Sequence, residues 1–95
     1  MKNLKDKAED AQKLAILYPE TFEAPTNEEL SSIKPGMFVK ICVGSERFWI
    51  KVDSVNDKEI QGKIDNQLVY SDETDLYYED EVSFTRNNVY QIFSE

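Results

Sequence analysis

The chain has 95 residues, a formal net charge of −8 at pH 7, and 40% hydrophobic and 12% aromatic residues. This is enough apolar material for one packed core and too little length for two, so a single domain spanning residues 1–95 is expected and wholesale disorder is excluded. Eleven Lys and Arg against 19 Asp and Glu argue against DNA or RNA as a ligand, because such affinity comes from cations displacing counterions from phosphates.

Histidine is absent and Cys42 stands alone, which removes the commonest general base, thiol–imidazole pairs, zinc clusters and internal disulfides together. No catalytic residue, cofactor or metal is expected. A chain without such disulfides fits the cytoplasm; its first 20 residues hold no apolar run long enough for a signal-peptide core, and nothing later approaches a membrane span. The charge is uneven: residues 1–18 carry +1, 19–33 carry −4, 34–64 carry +2 and 65–95 carry −7. A protein with a basic surface is the partner this balance suits.

In chain order, residues 1–33 read as a helical segment. Apolar residues at 4, 8, 11, 14, 15, 17 and 18 form a helical stripe that Pro19 ends. Thr26 stands three positions before Glu29, a capping-box spacing that opens a short second helix through about Ile33. Lys34-Pro35-Gly36 then breaks the chain, and residues 34–95 read as β-rich. Val39, Ile41 and Val43 alternate with Phe38, Lys40 and Cys42, and after a turn at Gly44-Ser45-Glu46, Phe48, Ile50 and Val52 alternate with Trp49 and Lys51. A turn at Asn56-Asp57-Lys58 leads to a third strand through Ile60, Gly62 and Ile64, with Gly62 marking a bulge or a close backbone crossing. Val82–Phe84 and Val89–Phe93, separated by a turn at Arg86-Asn87-Asn88, complete five strands. The expected architecture is α+β: an N-terminal helix, laid across a strongly bent antiparallel sheet or SH3-like small barrel.

Between the third and fourth strands, residues 71–82, SDETDLYYEDEV, carry six carboxylates. Their spacing fails the alternating-ligand and glycine requirements of a calcium loop, and mutual repulsion favours an extended, hydrated conformation tacked to the core by Leu76. Asp72, Glu73, Asp75, Tyr77, Tyr78, Glu79, Asp80 and Glu81 form a candidate interaction surface. Cys42, mid-strand, reads as a small apolar filler. Trp49 falls on the face opposite Phe48, possible neighbours across the hairpin being Phe38 or Cys42. Either the N-terminal helix covers it, or Arg47, Trp49, Tyr70 and Arg86 form a candidate pocket in which an arginine holds an anion.

The runs Gly36-x-x-Val39-Lys40-Ile41, Glu46-Arg47-Phe48-Trp49-Ile50-x-Val52 and Ile60-x-Gly62-x-Ile64-Asp65-Asn66-x-Leu68 resemble the YegJ-like group of small bacterial domains of unknown function, from Ile33 onward. The resemblance implies a compact β-rich fold attached to helical N-terminal residues and brings no activity or catalytic residues. In such proteins a glycine usually precedes the aspartate entering the fourth strand, where this chain has Glu79 before Asp80.

The sequence thus points to a small acidic, non-enzymatic protein-interaction module. The alternative is a small-ligand binder built around Trp49. A third reading, imitation of nucleic acid by acidic side chains, needs carboxylates spread over an extended face, and one loop supplies few.

Overall fold

The computed structural model describes residues 1–94. It is α+β, with three short helices and an open, mixed sheet of six strands, one more than the sequence suggested. The strands are β1 (Lys2–Asn3), β2 (Phe38–Val43), β3 (Glu46–Val55), β4 (Ile60–Ile64), β5 (Glu81–Phe84) and β6 (Gln91–Phe93), and the helices α1 (Ala11–Leu17), α2 (Asn27–Ser31) and α3 (Ser71–Thr74). Sheet order is β1-β5-β4-β3-β2-β6, antiparallel throughout except for β1 beside β5.

The central strands follow from alternation. Val39, Ile41 and Val43 of β2, Phe48, Ile50 and Val52 of β3, and Ile60 and Ile64 of β4 all point to one face and are buried. Val82 and Phe84 of β5 join them, and Leu4, Leu30, Ile33, Leu68, Leu76 and Val89 close the core from the connecting segments. Gly44 takes φ 65° in the tight turn, so that Glu46 already pairs with Val43. Gly62 makes the close approach its position suggested: an added Cβ would lie 2.3 Å from the Lys51 carbonyl oxygen and 2.7 Å from Ile50 Cγ2. The register of β3 on β4 slips beside it, between Val52 and Ser54, where Asp53 is the extra residue of a bulge.

The expected helix over residues 4–18 is shortened. Only Ala11–Leu17 is α-helical, started by Asp10, whose carboxylate accepts the Lys13 N–H at 3.0 Å. Upstream, Leu4 and Ala8 are buried four residues apart, as in a helix, but through a single turn closed by the Ala8 N–H on the Leu4 carbonyl at 2.8 Å. Residues 2–9 tie two separated strands together. Lys2 and Asn3 pair with Val82 and Ser83 of β5, and the Leu4 N–H reaches Ser83 O at 2.7 Å. Four residues after Leu4, Ala8 bridges Val43 and the Glu9 N–H donates to Cys42 O at 2.9 Å, on the edge of β2 that β6 leaves open. Burying Leu4 completely contributes about 2 kcal/mol toward ordering this segment.

Asn88 fixes the junction. Its side chain is 2% exposed; Nδ2 donates to the carbonyls of Ala8 at 3.2 Å and Glu9 at 3.3 Å, while Oδ1 accepts the Thr85 N–H at 2.9 Å. The capping box at α2 is as expected, with Thr26 and Glu29 exchanging hydrogen bonds at 3.0 and 3.1 Å.

Candidate functional site

Two surfaces carry the residues that the sequence singles out, and they have opposite character. The first is the acidic segment. It is not the extended loop that charge repulsion predicted: residues 71–74 turn into α3, and Asp75 ends it in the left-handed region at φ 58°. The missing element is distant in sequence. The Glu46 carboxylate, at the start of β3, accepts the N–H groups of Val69 and Tyr70 at 2.7 and 2.9 Å, supplying from 24 positions away an acceptor that stops the chain from unravelling.

Leu76 is fully buried and anchors the segment, as expected. Asp80 does the rest. Its Oδ2 accepts the Tyr77 N–H at 2.9 Å and pairs with Lys2 Nζ at 2.7 Å, and Lys2 also donates to the Asp75 carbonyl. That hydrogen bond to Lys2 holds the Asp80 carboxyl below its ordinary range and raises the Lys2 ammonium. Asp75 and Asp80 are therefore structural members of the predicted surface. Asp72, Glu73, Glu79 and Glu81 stay exposed. Beside them Val69 is 81% exposed, and Tyr70, Tyr77 and Tyr78 are 43–46% exposed. Glu79, where the resemblance led to a glycine, takes φ 70°, a conformation that a side chain disfavours.

The second surface is the outer face of the sheet. α1 does not cover Trp49; it lies over the far end of β2, where Ala11, Cys42 and Tyr90 form a small cluster joined by Leu14, Phe22 and Ala24. Trp49 is half-buried, directly across from Lys40, not Phe38 or Cys42, and the Lys40 ammonium sits 4.8 Å from its ring centroid. Its backbone is clamped on both sides: the N–H donates to Asn66 Oδ1 at 2.6 Å and the carbonyl accepts the Asp65 N–H at 2.9 Å. A shallow, open depression of about 370 Å³ is lined by Phe38, Trp49, Asp65 and Phe93.

The four residues of the predicted pocket do not converge, although Arg47 shares the face of Trp49 two residues away. Arg47 stacks on Tyr90 at 5.0 Å, and the Arg86 guanidinium donates to the Asn56 carbonyl at 2.8 Å, closing the β3–β4 turn. Tyr70 belongs to the acidic segment. Of the residues that do flank Trp49, Phe38 was among the expected neighbours, while Lys40, Asp65 and Phe93 were not, although alternation already sets Phe38 and Lys40 on the face of Trp49 and Lys51. The missing signals were the two-residue turn, which fixes who faces whom, and the pairing of β6 on β2, which sets Phe93 against Phe38.

One further cluster contains titratable groups. The Tyr90 hydroxyl donates to the Glu9 carboxylate beneath the Arg47 guanidinium, and Cys42 lies beside them. Burial pushes the Cys42 thiol up to about 11, and burial with the Glu9 contact raises the Tyr90 phenol as well. Both of these groups stay protonated near neutral pH, so the cluster supplies no thiolate. Among the described residues no three Cys, Asp or Glu side chains are grouped so as to hold a metal ion, and no helix is long and apolar enough to cross a membrane.

No protein-family model, curated protein or solved structure matches the chain.

Proposed function

We propose that the protein is a non-enzymatic interaction module whose acidic segment, residues 69–81, docks a partner with a basic surface. One observation carries this reading: exposed Val69, Tyr70, Tyr77 and Tyr78 are interleaved with exposed carboxylates on a segment pinned by Leu76, Glu46 and the Lys2–Asp80 pair. Tyrosines on a pre-ordered backbone concentrate binding energy, because little conformational freedom is lost when they are covered. The surrounding carboxylates contribute steering and salt dependence. The tie that residues 2–9 make between β5 and β2 supports likening the bent sheet to an SH3-like barrel, a scaffold that presents such segments at its rim.

The test neutralises only carboxylates without a side-chain hydrogen bond among the described residues, Glu73→Gln, Glu79→Gln and Glu81→Gln together, and leaves Asp72, which accepts the Tyr77 hydroxyl at 3.4 Å. Wild-type protein captures a stoichiometric partner from a bacterial lysate at low salt and releases it as salt rises, whereas the neutralised variant does not. Equal capture by both proteins would sink the proposal.

A second reading, binding of a small ligand beside Trp49, is favoured by the depression between Phe38, Trp49 and Phe93 with Asp65 at its edge, since small-ligand sites are lined mainly by apolar and aromatic side chains with a few polar groups.

A further inference from the structure

The outer face of the sheet concentrates what the rest of the chain lacks. Lys40, Arg47, Lys51 and Lys63 bring four of the 11 cations to one face of β2, β3 and β4, and none of them forms an ion pair among the described residues. Lys51 and Lys63 stand directly opposite one another, a like-charge pairing that costs stability in a bare sheet and is relieved by an anion between them. Lys51 is also the cross-strand neighbour of Phe38. The cationic row therefore begins where the aromatic floor of the depression ends.

We propose that this depression binds a small planar anion of the nucleoside monophosphate class. The ring lies on Phe38, Trp49 and Phe93, and the phosphate takes Lys51, with Lys63 behind it. The Asp65 carboxylate at the rim, which makes no side-chain hydrogen bond among the described residues, accepts a ring N–H. The net charge of −8 does not forbid this. Arg47 and Lys51 flank Trp49 at a two-residue strand spacing of about 7 Å, while carboxylates beyond about 8 Å are screened at physiological salt. Locally, the four cations on this face outnumber Asp65 and Glu81, the latter directly opposite Lys63 on β5. The volume of about 370 Å³ suits one nucleotide, and the cationic row extends only two strands past the aromatics, short for a strand of nucleic acid. The site goes beyond the acidic segment and meets it only where Glu81 faces Lys63.

The test follows Trp49 emission and backbone amide shifts in the full chain as nucleoside monophosphates, the corresponding nucleosides, short oligonucleotides and a short acidic peptide are added. Saturable binding of a monophosphate, at least tenfold tighter than its nucleoside, is expected. Lys51→Glu weakens it at least tenfold and Phe93→Ala at least fivefold; both positions are exposed, and an unchanged circular dichroism spectrum confirms the fold. Asp65→Asn changes the preference among bases. The proposal is overturned by the absence of saturable binding, by equal affinity for nucleoside and monophosphate, or by full affinity in Lys51→Glu. It is equally overturned if an oligonucleotide binds more tightly than its number of nucleotides accounts for, or if only an acidic peptide shifts these amides. None of these outcomes touches the acidic segment, whose own variants test it separately.

Discussion

Gly62→Ala is the sharpest test of the packing described above. The added methyl would sit 2.3 Å from the Lys51 carbonyl oxygen, 2.7 Å from Ile50 Cγ2 and 3.1 Å from the Lys51 carbonyl carbon. Ordinary contact needs about 3.4 Å or more, and two of these three atoms are backbone held in the β3–β4 ladder. The side chain cannot swing away, so β3 and β4 must part. In a strand interior, Ala replacing Gly would otherwise gain roughly 0.5–1 kcal/mol from the restricted unfolded chain. Overpacking costs typically 1–3 kcal/mol and more where backbone must move, so we expect a net loss of about 2–3 kcal/mol. For a domain of this size that is a fall in Tm of roughly 10–20 °C. Urea unfolding followed by circular dichroism should show the midpoint falling with an unchanged slope. Gly44→Ala is the control: nothing lies within 4 Å of its added methyl, and only the left-handed conformation, costing about 1 kcal/mol, opposes it. A Gly62→Ala protein as stable as Gly44→Ala would refute the reasoning.

Glu79→Gly should stabilise the fold by up to about 1 kcal/mol, because glycine removes the penalty of φ 70° that outweighs its greater freedom in the unfolded chain; an unchanged or lower Tm would contradict this. The Lys2–Asp80 pair sets a pH dependence. Asp80 has its folded value lowered by Lys2, so its contribution is present above the ordinary carboxyl range near pH 4 and is lost as pH falls through the lower folded value. Lys2→Met should flatten this acid limb of the stability profile, and an unaltered limb would assign it to other carboxylates. With its thiol raised from 9.0 to about 11, Cys42 holds roughly 100-fold less thiolate near pH 8 than an ordinary cysteine. It should react with a disulfide reagent at least that much more slowly in native protein than in urea, and comparable rates would place it at the surface.

The hairpins were legible in the sequence because one row of β-branched and aliphatic side chains at period two admits a single buried face. Gly62 was legible for a related reason, an absent side chain inside such a row. The helix over 4–18 was misread because Leu4 and Ala8 share a spacing that one turn and a full helix both satisfy. In addition, Leu17 and Tyr18, which extended the apolar stripe, are exposed at 58% and 57%. The two-residue β1 has no local signal, since its partner is Val82–Ser83. α3 escaped for the same reason: repulsion among its carboxylates is visible locally, and the Glu46 side chain that holds the preceding N–H groups is not. At the outer face, alternation gave the sidedness of Phe38, Lys40, Trp49 and Lys51, whereas their neighbours depended on register and on which strand pairs with β2.

The tie made by residues 2–9 also dictates an order of events during synthesis. Lys5 and Ala8 meet Asn88 at sequence separations of 83 and 80, so this half of the tie closes only after Asn88 has been made, whereas the bridge from Ala8 to Val43 can form earlier. The three-stranded meander of β2, β3 and β4 needs only neighbouring contacts and can assemble first, because short loops close at lower entropic cost. Until the late strands arrive, Leu4 lacks its β5 neighbours and the flanks of β2 and β4 lie open to other chains, which makes this interval the one in which a partly folded intermediate is most exposed to aggregation.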